Sequence, residues 1–196
     1  MPVFGGLMMS TETLERAFGV AKQVLAGVGP DHLDLPTPCA SWDVRAVLNH
    51  LVGGSFFFAA ATEAGQAPTG GDAPDFAAGD FVASYEDGSK QAVAAFGAPG
   101  ALEKIVKLPF GEFPGAGFMG IATVDTFTHA WDLAKATGQS TDLDPELAGQ
   151  LLEQSKSAIS DGFRGAEPMP FGPQQEAGAG ACPADQLAAF LGRTVA

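Results

Sequence analysis

The chain has 196 residues, a length that fits one domain built around a single hydrophobic core. Hydrophobic residues make up 46% of it and charged residues 17%, and the 15 Phe favour a folded, globular protein over a disordered chain. The formal net charge of -13 argues against binding to nucleic acid or to anionic membrane surfaces, because both interactions depend on Lys and Arg.

The N-terminal segment, MPVFGGLMMS, lacks the features of an export signal. It has no Lys or Arg ahead of an apolar stretch, and no apolar run in the chain approaches the roughly 20 residues that a membrane-spanning helix needs. We therefore expect a soluble, cytoplasmic protein whose residues 1–9 are flexible. In that compartment Cys39 and Cys182 are expected to stay reduced.

Two helices are predicted in the first third of the chain. Residues 12–28 carry one apolar face, and Gly29-Pro30 ends that helix. A proline-rich loop then leads to Ser41, which has a side chain suited to capping a second helix over residues 42–64. The second helix is apolar on most sides, so we expect it to be central. The apolar face of the first helix consists of Leu14, Ala17, Phe18, Ala21, Val24 and Leu25.

The middle of the chain has one helix and one ambiguous segment. Asp80 can cap a third helix that runs to about Phe96, after a connection rich in Gly, Pro and Ala. Residues 97–117 alternate briefly as in a strand, but Pro109 and Pro114 limit them to an edge strand or a loop.

The last part of the chain should contain three more helices. A strong helical pattern covers residues 118–137, and another begins at Asp144-Pro145 and runs to residue 159. The stretch PADQLAAFLG predicts a short closing helix. We therefore predict an all-α fold, a four-helix bundle with an extra C-terminal helix and short irregular or extended connections. Residues 1–196 are expected to form one domain, with 162–196 as a C-terminal tail.

Three ionisable residues stand out on the apolar faces of these helices. Asp125 and His129 are spaced i, i+4, so both side chains project from one face of their helix, and His50 lies in the most apolar helix. Two imidazole nitrogens and one carboxylate suit a divalent ion such as Zn²⁺ and leave a coordination position open. From the spacing alone, a local polar contact and a hydrogen-bonded core histidine are the more common explanations, and they are favoured over a metal site.

Two segments resemble a known family. LDLPTPCASWDVRAVLNHLVGG and VDTFTHAWDLAKATGQ are similar to the diagnostic segments of the DinB-like superfamily, in the branch related to mycothiol-dependent maleylpyruvate isomerase. The resemblance implies a metal-binding four-helix bundle in which His50, Asp125 and His129 hold a divalent metal, with Zn²⁺ favoured over Ni²⁺ or another ion. The isomerase has Glu at the position of Asp125, and its further C-terminal domain is reduced here to a short tail.

The resemblance also implies a chemistry. In isomerase-like enzymes the metal receives a low-molecular-weight thiol such as mycothiol, which acts as a nucleophile for S-transfer or for isomerisation of a small electrophilic substrate. One alternative is metal-dependent hydrolysis with Asp132 as base, although an orienting contact from Asp132 to His129 is the favoured role for this residue. Another is a non-catalytic metal-binding or stress-related bundle. A homodimer is compatible with the apolar composition.

Four further residues near these motifs are candidates for a structural or a functional role. Cys39 is expected to be structural, because no His stands beside it in the sequence. Trp42 and Trp131 lie close to the proposed ligands and are candidates for a pocket wall, with core packing as the alternative. Arg45 is expected to anchor the start of its helix rather than to meet an anionic substrate.

Overall fold

The computed structural model of the protein describes residues 11–70, 74–165 and 171–195. These residues contain six α-helices and one two-stranded sheet, so the prediction of a mostly all-α fold is confirmed. The expected flexible segment, residues 1–9, lies outside the described residues, and the single domain stays a prediction. The elements in chain order are α1 (Thr11–Ala26), α2 (Val44–Ala64), α3 (Phe81–Gly97), β1 (Ile105–Leu108), β2 (Gly111–Pro114), α4 (Gly115–Ala136), α5 (Pro145–Ala158) and α6 (Pro183–Phe190).

The first four helices form the bundle. Helix α1 packs against α3 and α4, and α2 packs against the same two helices, so that α1 and α2 occupy opposite corners. The interior is filled by large side chains from all four helices, which supply the hydrophobic stabilisation of the fold. Fully buried members include Leu14, Leu25, Leu48, Tyr85, Phe96, Phe118 and Met119.

Helices α5 and α6 build a second hydrophobic cluster on the outside of the bundle. They pack against each other, α5 also contacts α1, and α6 also contacts α4. Trp131 of α4 lies at the centre of this cluster, 1% exposed, and its indole Nε1 donates a hydrogen bond to Asp185 at 2.9 Å. Trp131 is therefore a core residue, which was the alternative to a pocket wall. The predicted closing helix is confirmed as α6, and it is fixed to the bundle through α4.

Helix α2 starts later than expected. Its N-cap is Asp43, which accepts a hydrogen bond from the Ala46 N–H at 2.8 Å, so the prediction that Ser41 caps a helix starting at Trp42 was wrong. Trp42 still belongs to the preceding loop, where its N–H donates to the Cys39 carbonyl. The caps predicted for the third and fifth helices are confirmed, because the Asp80 and Asp144 side chains both accept bonds from the first turns.

By length and composition, α2 is also the one helix among the described residues that reaches the threshold for a membrane span, although no apolar run of that length was expected. Half of that apolar stretch is buried within the protein, as in the core helix of a bundle.

Residues 97–117 contain the only strands in the part of the chain that the structure describes. β1 and β2 pair antiparallel, with Leu108 opposite Gly111, so Pro109 and Phe110 form a two-residue turn. Both prolines are tolerated, because Pro109 lies in the turn and Pro114 is the last residue of β2. Helix α4 then begins at Gly115, earlier than the predicted residue 118. A Cβ at Gly115 would come within 1.9 Å of the Ala101 carbonyl oxygen, so only glycine permits this close approach.

Candidate metal centre

The structure brings His50, Asp125 and His129 together between α2 and α4. His50 Nε2 lies 3.1 and 3.2 Å from the two carboxylate oxygens of Asp125, and His129 Nε2 lies 3.6 Å from Oδ1 of the same residue. One potential ligand atom from each side chain lies within 4.8 Å of the other two. Two imidazole nitrogens and a carboxylate are a donor set that suits a borderline divalent ion. The arrangement could therefore hold such an ion, while ligation itself stays a prediction.

Asp132 binds the other nitrogen of the His129 ring. Its Oδ2 lies 2.9 Å from His129 Nδ1, and the Asp132 side chain is fully buried. In the neutral tautomer that donates Nδ1–H to this carboxylate, Nε2 is available as a ligand atom on the side of Asp125, which is the usual arrangement of a metal-binding histidine. Asp132 thus lies where the orienting contact was predicted. Its full burial and its engagement with His129 make it a poor candidate for a solvent-facing base.

Arg193 completes this hydrogen-bonded chain. Its Nη2 donates to Asp132 Oδ2 at 3.1 Å and its Nε donates to Oδ1 at 3.3 Å. The residue follows α6, so the C-terminal segment contributes directly to the surroundings of His129. A guanidinium that contacts both oxygens of a buried carboxylate compensates its charge and fixes its orientation.

Trp42 packs against both histidines. Its ring centroid lies 5.3 Å from that of His129 in a stacked arrangement and 4.7 Å from that of His50 in a tilted one, and the two imidazole rings are themselves 4.7 Å apart. The loop before α2 therefore supplies an aromatic wall beside the candidate ligands, as one of the two interpretations of Trp42 proposed. Trp42 also lines an open cleft of about 260 Å³ together with residues of the same loop, among them Asp34, Thr37 and Asp43.

Cys39 also lies at the centre. Its sulfur forms a second possible ligand group with His129 and Asp132, again with donor atoms within 4.8 Å of one another. The cysteine takes part in no disulfide and is partly buried. No His stands beside Cys39 in the sequence, but the loop that carries this cysteine folds back over the α4 site. The available sequence signal was that Cys39 lies in a segment that carries the family resemblance.

The charges at the centre bias the protonation states of its members. Burial works against ionisation of Asp125, but its hydrogen bond to His50 and the nearby positive charges dominate and hold its pKa below the usual value. The pKa of His50 is raised, because the contact with Asp125 outweighs the opposing effect of burial. The pKa of Asp132 is lowered in the same way by His129 and Arg193, against the effect of its burial. Both carboxylates are therefore anionic at neutral pH.

The exposure of the candidate ligands is graded. The His50 side chain is 34% exposed and that of Asp125 is 28% exposed, whereas the His129 side chain is only 8% exposed. A small molecule can therefore approach from the side of His50 and Asp125, and His129 is held from behind by Asp132.

Arg45 does not join this cluster through its hydrogen bonds. Its guanidinium binds Asp75 at 2.7 Å, and Asn49 one turn later also donates to Asp75 while accepting a bond from the Ala77 N–H. These contacts attach the segment before α3 to the first turns of α2. The structure thus gives Arg45 an anchoring contact, as expected, rather than one to the candidate ligands.

Comparison with known proteins identifies relatives over most of the chain. The family model described as the mycothiol maleylpyruvate isomerase N-terminal domain matches residues 14–134. Two proteins of Mycobacterium tuberculosis, one from strain CDC 1551 / Oshkosh and one from strain H37Rv, are each 41% identical over 181 residues, which is 92% of this chain and 96% of the relative. Both are described as uncharacterized. No solved structure matches at a significant level.

Proposed function

This chain belongs to the family of the mycothiol maleylpyruvate isomerase N-terminal domain, and on that premise we propose that it is an enzyme that holds one divalent metal ion through His50, Asp125 and His129. The ion, Zn²⁺ in the first instance, serves a low-molecular-weight thiol of the mycothiol type. The reaction is S-transfer to, or isomerisation of, a small electrophilic substrate. We further expect the protein to act in the cytoplasm and to be able to form a homodimer.

The contact between His50 Nε2 and the Asp125 carboxylate is the observation that carries the proposal. It joins α2 to α4 at 3.1 Å, at a partly exposed position beside a second histidine. Together with His129, these side chains place two imidazole nitrogens and a carboxylate within 4.8 Å of one another on the faces of two packed helices, and this donor set suits a divalent ion. Their convergence therefore supports a functional role.

Different side chains would have different roles at such a centre. A bound divalent ion would supply a Lewis acid that lowers the pKa of an incoming thiol and so favours the nucleophilic thiolate. His129, held at Nδ1 by Asp132, would present Nε2 in a fixed direction. The Trp42 ring covers both imidazoles and would exclude water from one side. The more exposed side, at His50 and Asp125, is where thiol and substrate would enter.

Hydrolysis is less well supported than thiol chemistry. The hydrolytic alternative needs a base near the metal, and Asp132, the candidate for that role, is fully buried and already engaged by Arg193 and His129. The non-catalytic alternative, a metal-binding or stress-related bundle, is separated from an enzyme by experiment rather than by geometry.

Replacing the native metal with Co²⁺ provides a direct test, because the visible spectrum of Co²⁺ reports its ligands. We expect mycothiol to shift that spectrum at stoichiometric concentrations and to introduce a sulfur-to-cobalt charge-transfer band. Asp125→Asn should weaken both the cobalt binding and the thiol response, whereas His32→Ala should preserve both, because His32 bonds only to its own loop. A cobalt spectrum that no thiol perturbs would contradict the thiol function.

A further inference from the structure

Arg193 connects the C-terminal segment to the candidate metal centre. Its guanidinium binds both oxygens of Asp132, at 3.1 and 3.3 Å, and Oδ2 of that carboxylate is also the partner of His129 Nδ1 at 2.9 Å. Arg193, Asp132 and His129 therefore form a continuous hydrogen-bonded network that ends at a candidate ligand. Residue 193 lies outside the stretch, residues 14–134, that matches the family model.

The contact between Arg193 and Asp132 is buried, so its loss should affect the surroundings of His129. The Asp132 side chain is 0% exposed and that of Arg193 is 13% exposed. A buried carboxylate without a compensating cation is costly, so loss of the guanidinium would favour rotation of Asp132 toward water and thereby release the His129 ring. The two contacts from a planar guanidinium fix the plane of the carboxylate, which a single point charge would not do.

The end of α6 sets the position of Arg193. The Gly192 N–H donates to the Ala189 carbonyl and the Arg193 N–H donates to the Ala188 carbonyl, the two bonds of a Schellman motif. Gly192 has a φ of 95°, and a Cβ there would come within 2.8 Å of the Gly172 backbone. The turn that aims Arg193 at Asp132 therefore depends on a glycine at this position.

We propose that Arg193 is a positioning residue of the metal centre. It acts through Asp132 to hold the His129 ring with Nδ1 engaged and Nε2 directed at Asp125 and His50. The segment that follows α5 thus contributes to the orientation of a candidate ligand. This inference rests on the proposed metal-binding function and adds to it a dependence on the C-terminal segment.

Arg164 offers a matched control for simple anchoring of the same segment. Its Nη1 donates to the carbonyls of Phe190 at 2.7 Å and Gly172 at 3.3 Å, and its guanidinium lies over the Phe190 ring. Arg164 therefore holds the end of α6 without a hydrogen bond to Asp132. Loss of Arg164 should loosen the segment, whereas loss of Arg193 should also release His129.

The first measurement is zinc affinity, obtained by competition with a chromogenic chelator. We expect Arg193→Met and Asp132→Asn each to weaken zinc binding by about 10 to 100-fold, the usual effect of losing a group that orients a ligand. Arg193→Lys should fall between Arg193→Met and wild type, and it covers the case in which Arg193→Met does not fold. Arg164→Met should bind zinc as wild type does. Wild-type affinity in folded Arg193→Met, or an equal loss in Arg164→Met, would overturn the proposal.

The second measurement needs no metal and so separates this inference from the function on which it rests. Ring-nitrogen NMR of the zinc-free protein reports which nitrogen of His129 carries the hydrogen. In mildly alkaline solution we expect Nδ1–H in wild type and Arg164→Met, and a changed or exchange-averaged signal in Arg193→Met and Arg193→Lys. Unchanged His129 signals in both Arg193 variants would refute the positioning role even if zinc binds. A wild type that binds no zinc, with His129 still dependent on Arg193, would refute the metal function alone.

Discussion

The carboxylate of Asp125 lies close to both histidines of the candidate centre. Its carboxylate oxygens lie 3.1 and 3.2 Å from His50 Nε2, and Oδ1 lies 3.6 Å from His129 Nε2. The family resemblance implied Glu as the usual residue here, and Asp is one methylene shorter. The Asp125 carboxylate still reaches both imidazoles, because α2 and α4 are in direct contact.

Substitutions at Asp125 should separate the role of charge from that of side-chain length. We expect Asp125→Asn to weaken zinc binding by about tenfold or more, since the amide cannot offer an anionic oxygen, a loss of about 1.4 kcal/mol or more of binding free energy. Asp125→Glu should retain the greater part of the affinity. Calorimetric titration of the zinc-free variants measures both, and an Asn variant that binds as tightly as wild type would exclude Asp125 as a ligand.

The sequence located the candidate ligands but not their surroundings. The i, i+4 spacing and the resemblance identified Asp125 and His129, and the contact of Asp132 with His129 follows from positions one turn apart on the same helix. Cys39 and Arg193 were missed as neighbours of the site. Arg193 lies 61 residues from Asp132 along the chain, and no local spacing relates two residues whose contact depends on how α6 docks.

At the scale of the helices, α2 and α3 approach each other at a glycine. A Cβ added to Gly88 of α3 would lie 2.0 Å from the buried Ser55 Oγ and 3.0 Å from Ser55 Cβ on α2. Only a residue without a side chain fits this crossing, so the separation of the two helices is set there.

Gly88→Ala should therefore destabilise the protein despite the better helix propensity of Ala. We expect a loss of about 1 to 3 kcal/mol in the free energy of unfolding, because the added methyl forces the helices apart. Gly149→Ala in α5 is the control, since its new Cβ would meet no atom within 4 Å beyond the backbone of its own helix, and it should be neutral or stabilising by up to about 1 kcal/mol. Urea denaturation measures both, and a Gly88→Ala protein as stable as wild type would contradict the close contact.

Asp144 joins α5 to α1. It caps α5 through the Leu147 N–H at 3.1 Å, and Arg16 of α1 binds both of its oxygens at 2.8 and 3.1 Å. Burial opposes ionisation, but the Arg16 contacts and the cap dominate and lower the pKa of Asp144. A lowered folded-state pKa means that the stabilisation is complete above the usual aspartate pKa of about 4 and is lost as the pH falls through the folded-state value.

The cost of Asp144→Ala should consequently depend on pH. At neutral pH we expect a loss of about 1 to 2 kcal/mol in the free energy of unfolding, as for other N-caps. The loss should shrink at the lowest pH at which wild type stays folded. Asp144→Asn should cost less at neutral pH, because Asn can still cap and tolerates the positive φ of 29° at this residue. Urea unfolding at the two pH values measures this, and a cost independent of pH would rule out the charged pair.

The ends of the elements were predicted unevenly. Asp80 and Asp144 were recognised as caps because a side-chain oxygen before a helical pattern is a local signal. The start of α2 was predicted two residues too early, because both Ser41 and Asp43 have side chains that can cap a helix. Backbone hydrogen bonds to the preceding loop, such as that from the Val44 N–H to the Leu35 carbonyl, determine which of them does so. The hairpin was ambiguous, because Pro109 and Pro114 are compatible with either an edge strand or a loop and the sequence pattern does not show which residues pair.

At the scale of the whole molecule, the centre lies between two hydrophobic clusters. The bundle core holds α2 and α4 at the distance that lets His50 reach Asp125, and the outer cluster of α5 and α6 brings Arg193 to Asp132. The chain has a net charge of -13, but this region is not an acidic cluster, because Arg193 and the two imidazoles lie beside its two carboxylates. Helical periodicity predicted the bundle, whereas the docking of the outer cluster on α4 depends on packing that periodicity does not encode.

The most direct test of the proposed centre is the metal content of the protein purified without added metal. We predict about one equivalent of a divalent metal in wild type by elemental analysis, and loss of that metal in His50→Ala, Asp125→Ala and His129→Ala. His32→Ala should retain it, because this third histidine bonds only to the loop after α1. Full metal content in the three site variants, or none in wild type even after incubation with zinc, would contradict the proposed site.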